Sequence, residues 1–345
     1  MRVARLALWF LVSLFLFVLA LDLIRAGAQT MAAWFEPDDR DITPASAAGS
    51  GWLLSCVVLS GSPVAAIALG LLDSGVLDRF ASFSMIMGSR VGASFVVLVI
   101  GLAYDLRARQ TGGGLYVGTL AVITTVTVYV PAFFLGYFLL QQGWFDAIHV
   151  GLPEPVASAI DFLLGPIVTF LGGVLPEWGL VLLGVLCLVT AFKLFDGFLP
   201  AVDPTGGKIG QMATMIYRPW ITFVFGMIVT CITLSVSVSL TLLVPLTARG
   251  IVRRENLIPY ILGANITTFV DTIIASSVLK SPSGFTAVFC AAFSVALISV
   301  PIVFLGYRPY ERLVDGLTRR VAHTHTRLIL FVALMFSIAL CLIWS

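Results

Sequence analysis

Two ionisable residues, Arg90 and Asp271, lie inside long apolar segments of this sequence. In a membrane, a charge at such a depth costs about 2.5–3.5 kcal/mol on insertion scales and usually marks a functional site or an ion pair. The two side chains are therefore predicted to form one ion pair. An alternative remains for Arg90, because it lies only about six residues from the end of its apolar segment and a side chain of this length can reach the headgroups.

Small polar residues interrupt the apolar runs at several places, and they share the ability to bind ions. Serine hydroxyls and unwound backbone carbonyls coordinate sodium, and the amino ends of half-helices attract anions. Each hydroxyl has an alternative role, because Ser and Thr in a membrane helix often donate to the carbonyl four residues earlier. The candidate substrate- and ion-binding residues are Ser60, Ser62, Arg90, Ser94, Ser235, Ser237, Asn265, Thr267, Thr268 and Asp271.

The serine pairs belong to an internal repeat. The segment Leu54–Arg90 aligns without a gap with a segment 175 positions further along, so that Ser60 matches Ser235 and Cys56 matches Cys231. Three glycines match at the same offset: Gly51 with Gly226, Gly75 with Gly250, and Gly88 with Gly263. Chance matching of apolar runs does not readily give serine, cysteine and glycine matches in one frame, which indicates a duplicated structural unit.

The composition indicates a polytopic membrane protein. Hydrophobic residues make up 59% of the chain and charged residues 11%, whereas soluble domains carry about 25% charged residues. The five cysteines lie in apolar runs without a CxxC pair, so neither a disulfide framework nor a metal site is expected. No catalytic triad, metal-ligand cluster or soluble catalytic domain is visible in the sequence. We therefore expect neither an enzyme nor a nucleic-acid-binding protein.

Each copy of the repeat contains two apolar runs of about ten residues, half of the roughly 20 that a membrane-spanning helix needs. Such paired half-length segments predict a re-entrant helical hairpin in each half of the chain. Motifs beginning at Gly88 and Gly263 predict a break in the span that follows each hairpin. The alternative to the hairpins is a pair of ordinary kinked spans with serines in the core.

Longer apolar runs predict full membrane spans. These lie at about 6–24, 84–104, 115–141, 178–198, 257–279, 285–306 and 328–344. A moderately apolar stretch at 156–172 either lies along the outer interface or enters the membrane partway. The expected divisions are 1–50 for the first span and an acidic outer loop, 51–141 for repeat 1, 142–177 for a connecting segment, 178–306 for repeat 2, and 307–345 for a basic inner loop and the last span.

The distribution of charge predicts the orientation of the two hairpins. An acidic segment at 36–41 precedes the first hairpin, whereas Arg249, Arg253 and Arg254 follow the second. Basic loops favour the inner face of a membrane, so the first hairpin is expected to open outward and the second inward. The predicted fold is an all-α polytopic membrane protein with two inverted repeats, each a re-entrant hairpin followed by a broken transmembrane helix.

The segment Val229–Leu279 resembles the second conserved region of the type II sodium–phosphate cotransporters. That family has a Gln-Ser-Ser-Ser hairpin tip, a proline before a half-helix that ends in glycine, and a Gly-Ser/Ala-Asn-Ile-Gly-Thr-Thr stretch. The matching residues here are Leu234-Ser235-Val236-Ser237, Pro245, Gly250 and Gly263-Ala264-Asn265-Ile266-Thr267-Thr268. The first repeat is similar through Leu59-Ser60-Gly61-Ser62, Gly75 and Gly88-Ser89-Arg90.

The sequence departs from the family pattern at the tips. Leu59 and Leu234 replace the glutamines, and Arg90 replaces the asparagine of the first repeat. Since the family binds phosphate and sodium at these positions, the substitutions weaken the case for both ligands. A permanent guanidinium can occupy the place of a sodium ion or bind an oxyanion bidentately. The sodium site implied by the resemblance comprises Ser235, Ser237, Asn265 and Thr268.

The resemblance implies a secondary active transporter in the cell membrane, acting as a sodium-dependent symporter in uptake or efflux of phosphate or a similar inorganic anion. No cofactor is expected apart from a candidate sodium ion, and the chain is a candidate homodimer. Two alternatives stay open on the same scaffold. One is a divergent membrane protein that no longer transports and acts through interaction or regulation, which the lost amides favour. The other is an anion channel.

Overall fold

The computed structural model describes residues 2–32, 42–108, 113–148, 153–198, 219–248, 252–279 and 281–345, and it contains helices and no strands over these residues. The α-helices are α1 (Arg2–Ala32), α2 (Pro44–Val58), α3 (Gly61–Asp73), α4 (Arg79–Ala108), α5 (Gly113–Gln141), α6 (Glu154–Val174), α7 (Glu177–Phe198), α8 (Pro219–Thr233), α9 (Val236–Thr241), α10 (Leu243–Ala248), α11 (Leu257–Thr267), α12 (Val270–Val278), α13 (Pro282–Phe304), α14 (Tyr307–Ala322) and α15 (His325–Ile343). A short 3-10 helix, Arg254–Asn256, precedes α11. The predicted acidic segment at 36–41, Arg249 and Gly250 lie outside the described residues.

Seven segments of the described chain are long and apolar enough to cross a membrane. They are Leu11–Gln29, Arg79–Leu106, Gly113–Gln141, Glu177–Leu194, Arg254–Val278, Pro282–Phe304 and Thr326–Ile343. Each overlaps one of the seven predicted spans, which confirms the all-helical, multi-pass architecture. The predicted division into domains stays a prediction.

The first serine pair lies at a sharp break between two short apolar helices. α2 ends at Leu59, whose backbone is left-handed with φ 57°, and Ser60 is extended before α3 begins. The amino end of α2 is fixed by Thr43, whose hydroxyl accepts a hydrogen bond from the Ser46 amide, and by Pro44 in the first turn. α2 therefore begins inside residues 1–50, where the sequence analysis placed a polar loop up to the hairpin; the capping residues explain the earlier start.

The second serine pair lies at the same kind of break. α8 ends before Leu234, whose φ is 50°, and Ser235 is extended at the start of α9. In the described part of the chain, Leu59 and Leu234 are the only non-glycine residues with a positive φ. A left-handed leucine costs roughly 1–2 kcal/mol. Its presence at positions matched by the repeat indicates that both halves need the same sharp break between two helices.

The helix before each break packs close to the next long helix of its repeat, α2 against α4 and α8 against α11. A β-carbon at Gly51 in α2 would lie 2.2 Å from the carbonyl oxygen of Met85 in α4, and one at Gly226 in α8 would lie 2.2 Å from that of Tyr260 in α11. Only glycine permits this approach. The two helix pairs therefore use matched contacts, since Met85 and Tyr260 are also separated by the repeat offset.

Contacts with α5 give the directions of α4 and α11. Arg79, which begins α4, pairs with Asp146 beyond the carboxyl end of α5. Arg254, just before α11, lies over the ring of Tyr116 near the amino end of α5, with the guanidinium carbon 4.8 Å from the ring centre. Asn265 near the end of α11 donates to Thr125 further along α5. Thus α4 runs antiparallel to α5, and α11 runs parallel to it.

The predicted break in the first repeat is wrong. α4 is a continuous helix of 30 residues through Gly88, because the missing side chain of that glycine serves helix packing: a β-carbon there would lie 2.0 Å from the Ala48 carbonyl oxygen. In the second repeat the helix is interrupted between α11 and α12, at Thr268 and Phe269, whose backbones remain right-handed. This interruption follows Gly263 by one turn and is a local distortion rather than an unwound segment.

Two connecting segments are also helical. The predicted basic loop after residue 306 is wrong over most of its length, because α14 (Tyr307–Ala322) forms an amphipathic helix that buries Val314 and Thr318. The stretch at 156–172 lies within α6, which packs against α1 and α7. Whether α6 lies in or on the membrane stays a prediction.

Candidate functional site

Arg90 and Asp271 form the predicted ion pair. Nη2 of Arg90 lies 3.1 Å from Oδ1 of Asp271, and the exposed fractions of the two side chains are 1% and 4%. Arg90 therefore points into the protein instead of reaching towards the headgroups. Each charge offsets the desolvation cost of the other, which an isolated charge in an apolar interior would bear in full.

Three hydroxyls surround the guanidinium of Arg90. Nη1 donates to Ser62 at 3.4 Å and to Thr268 at 3.3 Å, and Nη2 donates to Thr272. The guanidinium carbon also lies 5.2 Å from the centre of the Phe269 ring, within range of a cation–π interaction. The arginine is thus held by one residue of the first repeat and by several of the second.

Asp271 retains an unused acceptor. Its Oδ1 accepts hydrogen bonds from the amide of Thr272 at 2.6 Å and from the Thr272 hydroxyl at 2.8 Å. Its Oδ2 and the Nε of Arg90 are buried without a hydrogen-bond partner within the described part of the chain. A buried carboxylate oxygen of this kind is costly unless a further group satisfies it. The site can therefore accept one more donor or cation beside Asp271.

The helices that carry this cluster come from both repeats. Ser62 lies in the first turn of α3, which packs against α4 and α12; Arg90 lies in α4, and Thr272 lies in α12. In the other direction, α9 after the second break packs against α4. The helix after each break therefore contacts a helix of the other repeat, which brings Arg90 and Asp271, separated by 181 positions, into one site.

Asn265 occupies a second polar layer beside the ion pair. Its amide nitrogen donates to the Thr125 hydroxyl at 3.3 Å, and its backbone carbonyl accepts a hydrogen bond from the Tyr129 hydroxyl at 3.0 Å. The ring of Tyr129 stacks on Phe269 with a centroid distance of 6.2 Å. Phe269 thus lies between the Asn265 layer and the guanidinium of Arg90.

The serines after the second break are buried and partly satisfied by the backbone. Ser235 caps α9 by accepting a hydrogen bond from the Val238 amide at 3.3 Å, and Ser237 is 9% exposed in the next turn. In the first repeat, Ser60 is half-buried, and its side chain makes no capping hydrogen bond to α3. No contact of these serines with the ion pair is observed among the described residues.

Two of the candidate binding residues, Ser94 and Thr267, direct their hydroxyls away from the ion pair. The Ser94 hydroxyl donates to the Val91 carbonyl of its own helix at 2.7 Å. The Thr267 hydroxyl donates to the Met227 carbonyl of α8 at 3.0 Å. The matching residues of the first repeat, Gly92 and Trp52, are also in close contact. These hydroxyls satisfy the helix backbone or join neighbouring helices, and neither contacts Arg90.

Four residues of the site were missed by the sequence analysis. Thr125 and Tyr129 lie in the middle of the apolar helix α5, and Phe269 and Thr272 flank Asp271. A tyrosine in the centre of a span requires a hydrogen-bond partner for its hydroxyl, and this requirement could have indicated Tyr129 as part of a polar site. Thr272 could have been included as the neighbour of an intramembrane carboxylate, whereas nothing local distinguishes Phe269 from the other apolar residues.

Comparison with known proteins relates one part of the chain to a family. No curated protein and no solved structure matched the chain. The sequence model described as Na+/Pi-cotransporter matches residues 205–342, a region that contains the second break, Asn265 and Asp271. That family comprises transporters rather than enzymes. Over residues 205–342, about two fifths of its length, this chain is therefore similar to the Na+/Pi-cotransporter family.

Proposed function

We propose that the protein is a secondary active transporter that couples sodium to the uptake or efflux of phosphate or a similar inorganic anion across the cell membrane. The observation that carries this proposal is the buried ion pair between Arg90 and Asp271, which joins the two halves of the chain. Charged residues at this depth are expensive and commonly belong to ion or substrate pathways. The family match and the multi-pass architecture support the same class of protein.

The transport mechanism that we propose relies on two inverted repeats with re-entrant hairpins. Two observations support it. α4 runs antiparallel and α11 parallel to α5, and the left-handed residues Leu59 and Leu234 occupy matching positions of the repeat. In an inverted pair, each hairpin opens to a different face of the membrane while both tips lie near its midplane. Alternating access then requires movement of one repeat against the other around a shared site.

The proposed anion site lies at the amino end of α3. Free backbone amides in the first turn of this helix attract an anion, and the hydroxyls of Ser60 and Ser62 add donors. Arg90 donates to Ser62, so its positive charge extends to the same end of the helix. An oxyanion arriving here would compete for Nη1, whose two bonds of 3.4 and 3.3 Å are the longest that the guanidinium makes.

The proposed sodium site comprises Ser235, Ser237, Asn265 and Thr268. Oxygen atoms of hydroxyls, amides and backbone carbonyls are suitable ligands for such a hard cation. In the first repeat the matching asparagine is replaced by Arg90, whose fixed charge takes the place that a second cation would need. We therefore expect the coupling to use sodium in the second repeat and the guanidinium in the first.

The experiment is uptake of radiolabelled phosphate into proteoliposomes with and without an inward sodium gradient. We expect accumulation that depends on the gradient and that Ser62→Ala reduces at least tenfold. Ser74→Ala is the matched control, because this hydroxyl donates only to the Leu71 carbonyl at the far end of α3. Folded protein that accumulates neither phosphate nor sulfate under any gradient would overturn the proposal.

A second candidate function is favoured by one observation. Both terminal nitrogens of Arg90 are already bonded to groups of the chain, and the residue is 2% exposed. Such a closed ion pair suits a member that has lost transport and acts as a membrane interaction protein. The uptake assay separates the two functions, and electrical recording in the same liposomes identifies an anion channel. Cross-linking in the membrane tests the predicted homodimer.

A further inference from the structure

α14 presents a row of arginines on its exposed side. Arg308, Arg312 and Arg319 are exposed and, at about 3.6 residues per turn, lie within about 40° of one another around the helix axis. Arg320 is exposed on the next face of the helix. Asp315 pairs with Arg319 at 2.8 Å, so the row retains an excess of positive charge after this pairing.

The other flank of the exposed side is apolar. Leu313 is 55% exposed and Leu317 is 38% exposed, one turn apart on α14. Just before the helix, Phe304 and Leu305 are exposed at the end of α13. A helix with one basic and one apolar exposed flank is typical of segments that lie in the membrane interface, with the leucines towards the acyl chains and the arginines at the headgroups.

The opposite face of α14 is fixed to the membrane-spanning helices. The hydroxyls of Tyr310 and Thr127 are 2.8 Å apart, the Tyr116 hydroxyl donates to Asp315, and the Tyr307 hydroxyl donates to the Glu255 carbonyl at 2.6 Å. These bonds join α14 to the amino half of α5 and to the start of the α11 span. The rotation of α14 about its axis is therefore set, and the arginines face away from the protein.

The position of α14 along the chain keeps it at the membrane surface. Helix α13 is a membrane-spanning candidate that ends at Phe304, and α15 begins at His325 with the last one. Connections of two residues on each side leave α14 no room to move away from the ends of these spans. The exposed arginines are thus held at the depth where lipid phosphates lie.

We propose that α14 is a binding site for anionic phospholipid headgroups. Guanidinium groups bind phosphate oxygens bidentately, and a basic amphipathic helix beside a membrane attracts anionic lipid through the same charge. The exposed leucines favour a lipid over free phosphate, because a dissolved anion gains nothing from an apolar flank. The proposal does not depend on the transport function, since α14 lies outside the cluster around Arg90.

The test uses the full chain, purified in neutral detergent and titrated with phosphatidylglycerol, phosphatidylcholine or inorganic phosphate. We expect phosphatidylglycerol to raise the midpoint of thermal unfolding and phosphatidylcholine to leave it unchanged. Any shift with inorganic phosphate would come from the anion site at α3 and should be the same in the unaltered chain and in the variant described next. The triple variant Arg308→Gln, Arg312→Gln, Arg320→Gln should lose at least half of the phosphatidylglycerol shift. Arg79→Gln is the matched control, since it removes one arginine charge at the opposite end of α5, and it should retain the shift.

Native mass spectrometry of the same samples gives a second readout that does not depend on stability. The triple variant should retain less phosphatidylglycerol than the unaltered chain and the Arg79→Gln control. Equal retention and equal thermal shifts in all three proteins would overturn the proposal. A shift with inorganic phosphate that the triple variant loses would also overturn it, because the arginines of α14 would then bind the free anion.

Discussion

Gly88 and Gly263 make the same contact in the two halves of the chain. A β-carbon at Gly88 would lie 2.0 Å from the carbonyl oxygen of Ala48, and one at Gly263 would lie 2.0 Å from the carbonyl oxygen of Phe223. All four residues obey the repeat offset, so the helix before each break is held against the next long helix at one matched point. The contact excludes every side chain larger than hydrogen.

The first prediction follows from this contact. Gly88→Ala and Gly263→Ala should each destabilise the protein by about 1–3 kcal/mol, because the added methyl group forces two backbones apart. Thermal unfolding in detergent measures the effect. Gly173→Ala is the control, since a β-carbon at that glycine meets no atom within 4 Å. A loss of stability in only one of the two variants would show that the matched contacts are not equivalent.

The second prediction concerns the ion pair. Removing one partner, by Arg90→Asn or Asp271→Val, should cost about 3–5 kcal/mol because the other charge is left buried and unpaired. The double variant should cost clearly less than the two single effects added together. These substitutions introduce the residues that the other repeat carries at the matching positions, Asn265 and Val96.

A double-mutant cycle on thermal stability measures the coupling of this pair. Strictly additive effects would show that Arg90 and Asp271 do not interact in the protein. The cycle also has a transport readout, since loss of the fixed guanidinium should increase the dependence of phosphate uptake on sodium. Unchanged sodium dependence in Arg90→Asn would contradict the idea that the guanidinium replaces a cation.

The third prediction is the topology. Single cysteines at positions 79 and 254 should react with impermeant reagents from opposite faces of the membrane, because Arg79 and Arg254 lie at opposite ends of α5. The exposed Cys231 and Cys341 are first replaced by serine to remove background labelling. Modification of both introduced cysteines from the same face would exclude the inverted arrangement.

The fourth prediction concerns Tyr129, whose hydroxyl donates to the Asn265 carbonyl at 3.0 Å in the buried layer next to the ion pair. Tyr129→Phe should lower the free energy of unfolding by about 1 kcal/mol, the net value of a buried hydrogen bond. Tyr137→Phe serves as the control, because the ring of Tyr137 contacts Phe80 and Phe83 and no hydrogen bond of its hydroxyl is seen among the described residues. Equal effects would show that the hydroxyl of Tyr129 contributes nothing.

The fifth prediction concerns the pH dependence of stability at α14. Burial raises the pKa of Glu311 above its usual value, and repulsion from Glu255 and Asp315 adds to this effect. A hydrogen bond with Tyr307 and the charge of Arg308 oppose it without cancelling it. The folded protein then holds a proton on Glu311 that the unfolded chain has released, so the contribution of this residue to stability falls as the pH rises through that pKa.

Glu311→Gln should therefore raise the midpoint of thermal unfolding at neutral pH, and the difference should shrink as the pH falls towards 4, where both states are protonated. The control is Glu154→Gln, because Glu154 is exposed in the first turn of α6. A gain in stability that stays constant across this pH range would show that the charge of Glu311 is not its cause.

The sequence by itself determined the helical class, the seven candidate spans and the repeat, and it predicted the pairing of Arg90 with Asp271 while leaving a headgroup contact open for Arg90. These features depend on the free energy of placing each residue in an apolar medium, which is large and is set by the residue type. A charge or a half-length apolar run can therefore be recognised from the sequence alone. The matched serines also indicated the positions of both helix breaks, next to Leu59 and Leu234.

Only the tertiary structure decided which hydroxyls surround the charges and how each glycine is used. Ser62 and Thr268 contact Arg90, whereas Ser94 bonds its own helix, although the sequence offers the same group at each position. Gly88 was predicted to break α4 and instead serves close packing in a continuous helix. A glycine permits both outcomes, and the choice depends on whether another backbone approaches it, which is fixed by helix packing and not by the local sequence.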